Sequence, residues 1–136
     1  MKLIYHIQGG DFSAAGGASS EVKKTLKQFN ISPFVLRKIA VALYEAEMNV
    51  VVHAWHGIMR VDIRPDRVSV VIEDKGPGIA DIPRAMEEGF STATDEVRQM
   101  GFGAGMGLPN IRKNSDEMVL TSTPGVGTRL ALTISF

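Results

Sequence analysis

The chain has 136 residues, and its fifteen basic and fifteen acidic side chains give a formal net charge of zero. This length suits one domain with its own core over residues 1–136, and the balanced charge gives no field that would recruit nucleic acid or an anionic membrane. Cysteine is absent and no apolar run reaches the roughly twenty residues that cross a bilayer, so we expect a soluble, cytoplasmic protein without disulfides or zinc–thiolate sites.

The chain opens with a predicted strand and a short helix. Residues 2–8 form a β-rich run that stops at two glycines, which is typical of an opening strand. The small residues that follow predict a loop, after which Ser19 or Ser20 is placed to cap a helix. The apolar residues of this helix repeat at helical spacing until Asn30, and they are Val22, Leu26 and Phe29.

A long helix is predicted next, from Pro33 to about Trp55. Ser32 can cap its first free amides, and proline at the first helical position loses no hydrogen bond. The apolar residues of this segment do not keep to one stripe. We therefore expect the helix to be covered on more than one side.

Several polar residues of this helix are surrounded in the sequence by an unusually high number of apolar residues. Glu45 and Asn49 are four residues apart, so they project from adjacent turns of the same face. Glu47 lies on a different side of the helix and is predicted to be structural. His53 continues the line of Asn49 by another turn, and we interpret it as a packing residue.

The second half of the chain is predicted to be mostly strands. Residues 59–64 and 68–73 form an antiparallel hairpin, Asp74 begins a glycine-rich turn, and Asp81 caps a short helix that runs to about Glu88. Residues 89–104 have weak periodicity and the length of a functional lid. A helix over residues 106–114, a strand over residues 117–123 and a last strand to Phe136 complete the chain. This order predicts an α+β fold with a mixed, mostly antiparallel sheet and helices on one face.

Two glycine-rich stretches carry the strongest chemical pattern. Gly76 and Gly78 follow Asp74, and such a turn can aim one carboxylate into a pocket while bare backbone approaches a flat ligand. Further on, four glycines alternate ahead of a helix, at positions Gly101, Gly103, Gly105 and Gly107. Successive bare amides at a helix N-terminus favour phosphate binding, and the spacing does not match the dinucleotide fingerprint.

With the segment from Glu45 to Asn49 and the pair Gly127-Thr128, these stretches resemble the N, G1, G2 and final Gly-Thr boxes of the GHKL ATPase superfamily. The resemblance implies the two-layer α/β sandwich of GHKL domains, with ATP and Mg²⁺ as cofactors. It implies that Glu45 is the catalytic base or water-orienting group, that Asn49 is the metal ligand, and that Asp74 with Thr128 reads adenine. The implied nucleotide-binding residues are Asn49, Asp74, Gly76, Gly78, Ile79, Gly101, Gly103, Gly105, Met106, Gly107, Leu108 and Thr128.

Within the superfamily, the segment from Glu88 to Thr92, ahead of Gly-Phe-Gly-x-Gly-Met-Gly-Leu-Pro-Asn from Gly101 to Asn110, looks most like the anti-sigma factor and switch-kinase group. That group implies ATP-dependent phosphorylation of a serine or threonine on an antagonist protein, with a sigma factor as another partner and a homodimer as an open alternative. Because residues 89–104 offer little apolar surface, we expect this lid to be mobile without nucleotide and to become ordered over the triphosphate. Two other functions stay open: a nucleotide-gated protein-binding module without phosphate transfer, and a stand-alone histidine-kinase catalytic domain.

Overall fold

A computed structural model describes residues 1–88 and 107–136 of the chain. Its helices are α1 (Gly17–Leu26), α2 (Pro33–His53), α3 (Ile82–Ala85) and α4 (Gly107–Lys113), with a short 3₁₀ turn at Phe12–Ala14. Its strands are β1 (Lys2–Gln8), β2 (His56–Ile63), β3 (Arg67–Lys75), β4 (Glu117–Thr123) and β5 (Gly127–Ser135). The predicted lid over residues 89–104 lies outside the described residues.

The strands form one sheet in the order β1-β2-β3-β5-β4. All four pairings of these strands are antiparallel, so the sheet expected to be mixed and mostly antiparallel is antiparallel at every described ladder. The register places Val61 opposite Val70, and Val70 opposite Leu132. Strands from both ends of the described chain therefore complete a single sheet, and the predicted α+β fold class is confirmed.

The core lies between one face of the sheet and the helices. Alternate residues of β2, β3 and β5 are buried, as the period of two of a strand requires when one face is covered. The opposite face is solvated and carries an ion-pair group, in which Glu73 lies near both Arg60 and Arg129. The helices thus occupy one face, as predicted.

Helix α2 is the centre of the helical layer. It packs against α1 on one side, α4 on another and the sheet beneath, which explains why its apolar residues do not form a single stripe. Ile39 and Leu43 are fully buried there, together with Ile111 of α4. The Ser32 hydroxyl accepts a hydrogen bond from the Val35 amide at 3.3 Å, so the predicted cap is confirmed.

The start of α1 differs from the prediction. The helix begins at Gly17, with Gly16 as its cap at a φ of 89°, so the proposed capping role of Ser19 or Ser20 is wrong. Ser19 instead lies within the helix and is buried. The acceptor for the first amides comes from Glu47 of α2, a tertiary contact that no local pattern specifies.

Other boundaries shift by a turn or less. Helix α3 has only one turn and ends at Ala85 rather than near Glu88, although Asp81 caps it as predicted. Helix α1 ends at Leu26, and Phe29 beyond it is 38% exposed rather than part of the core. Among residues 1–88 and 107–136, no helix combines the length and the apolar character that crossing a membrane requires.

Candidate functional site

One half of the candidate site lies where α2 meets the beginning of α4. A methyl group added at Gly107 would lie 3.0 Å from Asn49 Oδ1 and 3.3 Å from Glu45 Oε2. The first residue of α4 therefore faces both polar side chains that α2 presents from adjacent turns. The four-residue spacing that the sequence indicated does bring Glu45 and Asn49 to one place, together with the last of the four alternating glycines.

Burial and one neighbouring side chain alter the electrostatics of Glu45. It is half-buried, and burial raises its pKa above the ordinary value of 4.5, while a side-chain hydrogen bond from Asn110 acts in the opposite direction. Asn110 follows Gly107 by three residues, so both lie on the same side of α4. Sequence reasoning quoted Asn110 only as part of the Gly-Leu-Pro-Asn stretch and missed its contact with Glu45.

The other half of the site lies at the end of β3. Asp74 belongs to the strand itself, which runs to Lys75, rather than to the turn that follows it. Its Oδ1 accepts a hydrogen bond from the Thr128 amide at 3.1 Å. Burial raises the pKa of Asp74, and the Thr128 bond and the nearby His56 act to lower it. Asp74 and Thr128, which are 54 residues apart in the chain, are thus adjacent, as the resemblance implied.

Ser122 of β4 joins this group, and sequence reasoning missed it. Its hydroxyl accepts a hydrogen bond from the Ile79 amide at 2.7 Å and lies 2.8 Å from the Thr128 hydroxyl. A further bond runs from Ser122 Oγ to the Gly127 carbonyl at 3.0 Å. The available signal was the alternation of β4, which places Ser122 on the same face as Met118 and Leu120.

The glycines near Asp74 are required by packing within the chain. A Cβ at Gly127 would lie 2.0 Å from the Asp74 carbonyl oxygen, and one at Gly78 would lie 2.5 Å from the Thr123 carbonyl oxygen. Gly78 also has a φ of 72°, which L side chains rarely adopt. At Gly76 a Cβ would meet the backbone of Ala54 at 2.9 Å. These positions hold the turn closely against α2 and β4, and their contact with a ligand stays a prediction.

The remaining predicted residues are divided between described and undescribed segments. Leu108 is half-buried in α4 and packs against the core. His53 is half-buried at the end of α2, and burial lowers its pKa, which agrees with a packing role. The other predicted nucleotide contacts lie outside the described residues, and they are Gly101, Gly103, Gly105 and Met106.

Comparison with known proteins assigns the chain to a family. Residues 35–136 match the family described as histidine kinase-, DNA gyrase B- and HSP90-like ATPases. The chain belongs to this family. The matched range contains Glu45, Asn49, Asp74 and Thr128, so the site described above lies within the family's own domain, and the predicted GHKL resemblance is confirmed.

Relatives of the chain are named as a serine/threonine-protein kinase and as anti-sigma F factors. The serine/threonine-protein kinase RsbT of Bacillus subtilis is 35% identical over 97 residues, covering 68% of this chain and 67% of the relative. An anti-sigma F factor of Caldanaerobacter subterraneus is 35% identical over 100 residues, covering 70% of this chain and 66% of the relative. The chain thus spans about two thirds of the length of these GHKL relatives, and their names confirm the predicted anti-sigma factor and switch-kinase group.

A solved structure supports the fold independently. A chain in the crystal structure of the SiaB–SiaC complex from Pseudomonas aeruginosa aligns with a TM-score of 0.60, over 98% of this chain and 89% of that chain. The sequence identity is 11%, so the comparison establishes that the two chains share the fold of this ATPase family.

Proposed function

We propose that this chain binds ATP with Mg²⁺ and transfers the γ-phosphate to a serine or threonine of a partner protein. The observation that supports this most directly is that α2 and the residue just after it contact both halves of the site. Glu45 and Asn49 face Gly107, and Ala54 just beyond the helix packs against Gly76 beside Asp74. At 1.5 Å per residue, Ala54 lies only about 8 Å past Asn49 along the helix axis.

The residues at Asp74 fit an adenine base. The Thr128 amide occupies Asp74 Oδ1, and no residue within 1–88 or 107–136 hydrogen-bonds to Oδ2. A carboxylate oxygen accepts hydrogen bonds and cannot donate them, so it suits the exocyclic amino group of adenine better than the carbonyl of guanine. The raised pKa of Asp74 is consistent with a carboxylate held in a partly dry pocket.

Asn49 suits a metal ion that takes most of its ligands from water and from the substrate. Asn49 offers a neutral amide oxygen, and Mg²⁺ binds through oxygen atoms while retaining several waters and substrate phosphates. When bound with Mg²⁺, ATP supplies the phosphoryl group. Glu45 accepts the proton of the attacking hydroxyl, and Asn110 orients the carboxylate through its hydrogen bond.

The nature of the partner follows from the relatives rather than from the site. Relatives named anti-sigma F factor and serine/threonine-protein kinase support a protein substrate of the antagonist type. A cytoplasmic location, expected from the absence of cysteine, is part of the same proposal.

Asp74→Asn is expected to weaken ATP binding by about 1–3 kcal/mol, the range for losing a charged hydrogen bond in a buried site. Asparagine keeps an acceptor for the Thr128 amide but replaces the other oxygen with a donor that faces the adenine amino group. Titration calorimetry with ATP and Mg²⁺ measures the change. Asp81→Asn, at an exposed helix cap, is the control and should bind ATP like wild type. Absence of ATP binding by the wild-type protein would refute the proposal.

Phosphate transfer is tested by the chemistry of the labelled product. The protein is incubated with γ-labelled ATP and lysate, and we expect the label in acid-stable phosphoserine or phosphothreonine of a second protein. Acid-labile phosphohistidine would instead identify a histidine-kinase domain. ATP binding without transfer to any protein would leave a nucleotide-gated binding module.

A further inference from the structure

A groove on the outer side of the helical layer runs to the candidate catalytic carboxylate. It has a volume of about 510 Å³ and lies between α1 and the first half of α2. The α2 side consists of two adjacent rows with helical spacing of three and four residues, one with Pro33, Leu36, Ala40 and Tyr44 and the other with Arg37, Val41 and Glu45. Glu45 lines the groove and also faces Gly107, so one end of the groove is bordered by a carboxylate of the candidate site.

The charges in the groove are strongly one-sided. Among its described lining residues, Lys23, Lys27 and Arg37 are cations, and Glu45 is the anion. None of the three cations takes part in the ion pairs formed within residues 1–88 and 107–136. In a protein with no net charge, these cations concentrate positive potential beside one apolar depression.

We propose that this groove binds an acidic segment of the protein substrate and presents its hydroxyl to Glu45. The proposal rests on the kinase function proposed above and specifies the kind of partner. Charge complementarity indicates carboxylates on the ligand, because a segment with basic residues would meet three cations at close range. The apolar floor formed by Leu36, Ala40 and Val41 suits a peptide chain, whose aliphatic groups can be buried there.

The geometry also sets a spacing between the acidic residues and the acceptor. Arg37 precedes Glu45 by eight residues of α2, which corresponds to about 12 Å along the helix axis. An extended peptide covers about 3.3–3.6 Å per residue. The acidic residues should therefore lie about three or four positions from the serine or threonine that receives the phosphate.

The experiment compares two charge-reversal pairs with the same net charge, each with one residue in the last turn or C-cap of α1 and one in α2. Lys27→Glu with Arg37→Glu alters the groove, whereas Lys24→Glu with Lys38→Glu alters neighbouring side chains that do not line it. The probe is a fluorescein-labelled peptide with one serine. Asp or Glu stands three to five positions from that serine on both sides. A second peptide carries Asn or Gln at those positions. Binding is measured by anisotropy and by amide NMR shifts, with a non-hydrolysable ATP analogue and Mg²⁺ present.

We expect the groove variant to raise the Kd of the acidic peptide by about tenfold, because two attractions become repulsions, while the control pair changes it by less than about twofold. The neutral peptide should bind wild type about tenfold more weakly than the acidic one, and the difference should shrink at high salt. In transfer assays the groove variant should raise KM and leave kcat unchanged. NMR shifts on wild type should fall in α1 and the first half of α2.

Several results would overturn the groove assignment. The assignment is wrong if the two variant pairs bind the acidic peptide equally, or if wild type binds the acidic and neutral peptides equally. It is also wrong if wild type is a dimer and the groove variant is not, because the groove would then be an interface between copies. Displacement of the peptide by a single-stranded oligonucleotide that only wild type binds would assign it to nucleic acid.

ATP calorimetry separates this proposal from the one on which it rests. ATP binding without peptide discrimination leaves the kinase function standing and removes the groove assignment. Groove-dependent peptide binding by a protein that does not bind ATP supports the groove and removes the kinase function.

Discussion

Glu45→Gln is expected to slow phosphate transfer by about a hundredfold to ten-thousandfold, the usual contribution of a positioned general base, while ATP affinity changes little. Glutamine keeps the shape of the side chain and a hydrogen-bond partner for Asn110, but it cannot accept a proton. Single-turnover transfer and calorimetry, carried out on the same preparation, measure the two quantities. Transfer at the wild-type rate would withdraw the catalytic role and favour a nucleotide-gated binding module.

Asn49→Ala serves as the contrasting variant within the same helix. It should lose Mg²⁺-dependent ATP binding as well as transfer, because Asn49 would hold the Mg²⁺ that neutralises the triphosphate when ATP binds. A pattern in which both variants lose only transfer would contradict the division of roles between the two residues.

The pH profile gives an independent control for Glu45. Its pKa is raised above 4.5 by burial, so protonation should remove the base, and transfer should fall on acidification, at a higher pH than an exposed glutamate would give. In Glu45→Gln this acidic limb should be absent from the residual activity. If the acidic limb of the wild-type pH profile persists in Glu45→Gln, another group is responsible for it.

Glu47→Ala is expected to lower the free energy of unfolding by about 2–4 kcal/mol, a cost typical of breaking a buried charged network. The Glu47 carboxylate accepts hydrogen bonds from the amides of Gly16, Ala18 and Ser19 and from the Ser19 hydroxyl, at 2.6–3.3 Å. Alanine would leave these donors unsatisfied at the positive end of the α1 dipole. Urea denaturation measures the loss.

The matched control for Glu47→Ala is Glu21→Ala, an exposed glutamate of α1, which should change stability by less than about 0.5 kcal/mol. A loss below about 1 kcal/mol in Glu47→Ala would show that water replaces the carboxylate without much cost. Glu47 lies between the candidate site residues Glu45 and Asn49 in the chain. ATP binding by the folded fraction of Glu47→Ala therefore tests whether the substitution affects only stability and not the site.

The elements of this protein were largely predictable from local pattern. Lys2–Gln8 and Glu117–Thr123 are strands with the predicted bounds, because their alternation and flanking turn residues are local. The long helix was predictable from the Ser32-Pro33 start, and with it the shared face of Glu45 and Asn49. Even the structural role of Glu47 followed from its position on another side of that helix.

The tertiary structure decided which distant residues meet. Glu47 caps a helix 28 residues earlier through Ser19, which overrode the local capping rule that pointed to Ser19 or Ser20. Asp74 is held by Thr128 across adjoining strands, Asn110 reaches Glu45, and Ser122 ties the Ile79 turn to β5. Helical and strand periods depend on residues a few positions apart, so they can be recognised in the sequence. Contacts between residues far apart depend on how the sheet and helices pack, so the groove beside Glu45 emerges only once α1 lies on α2.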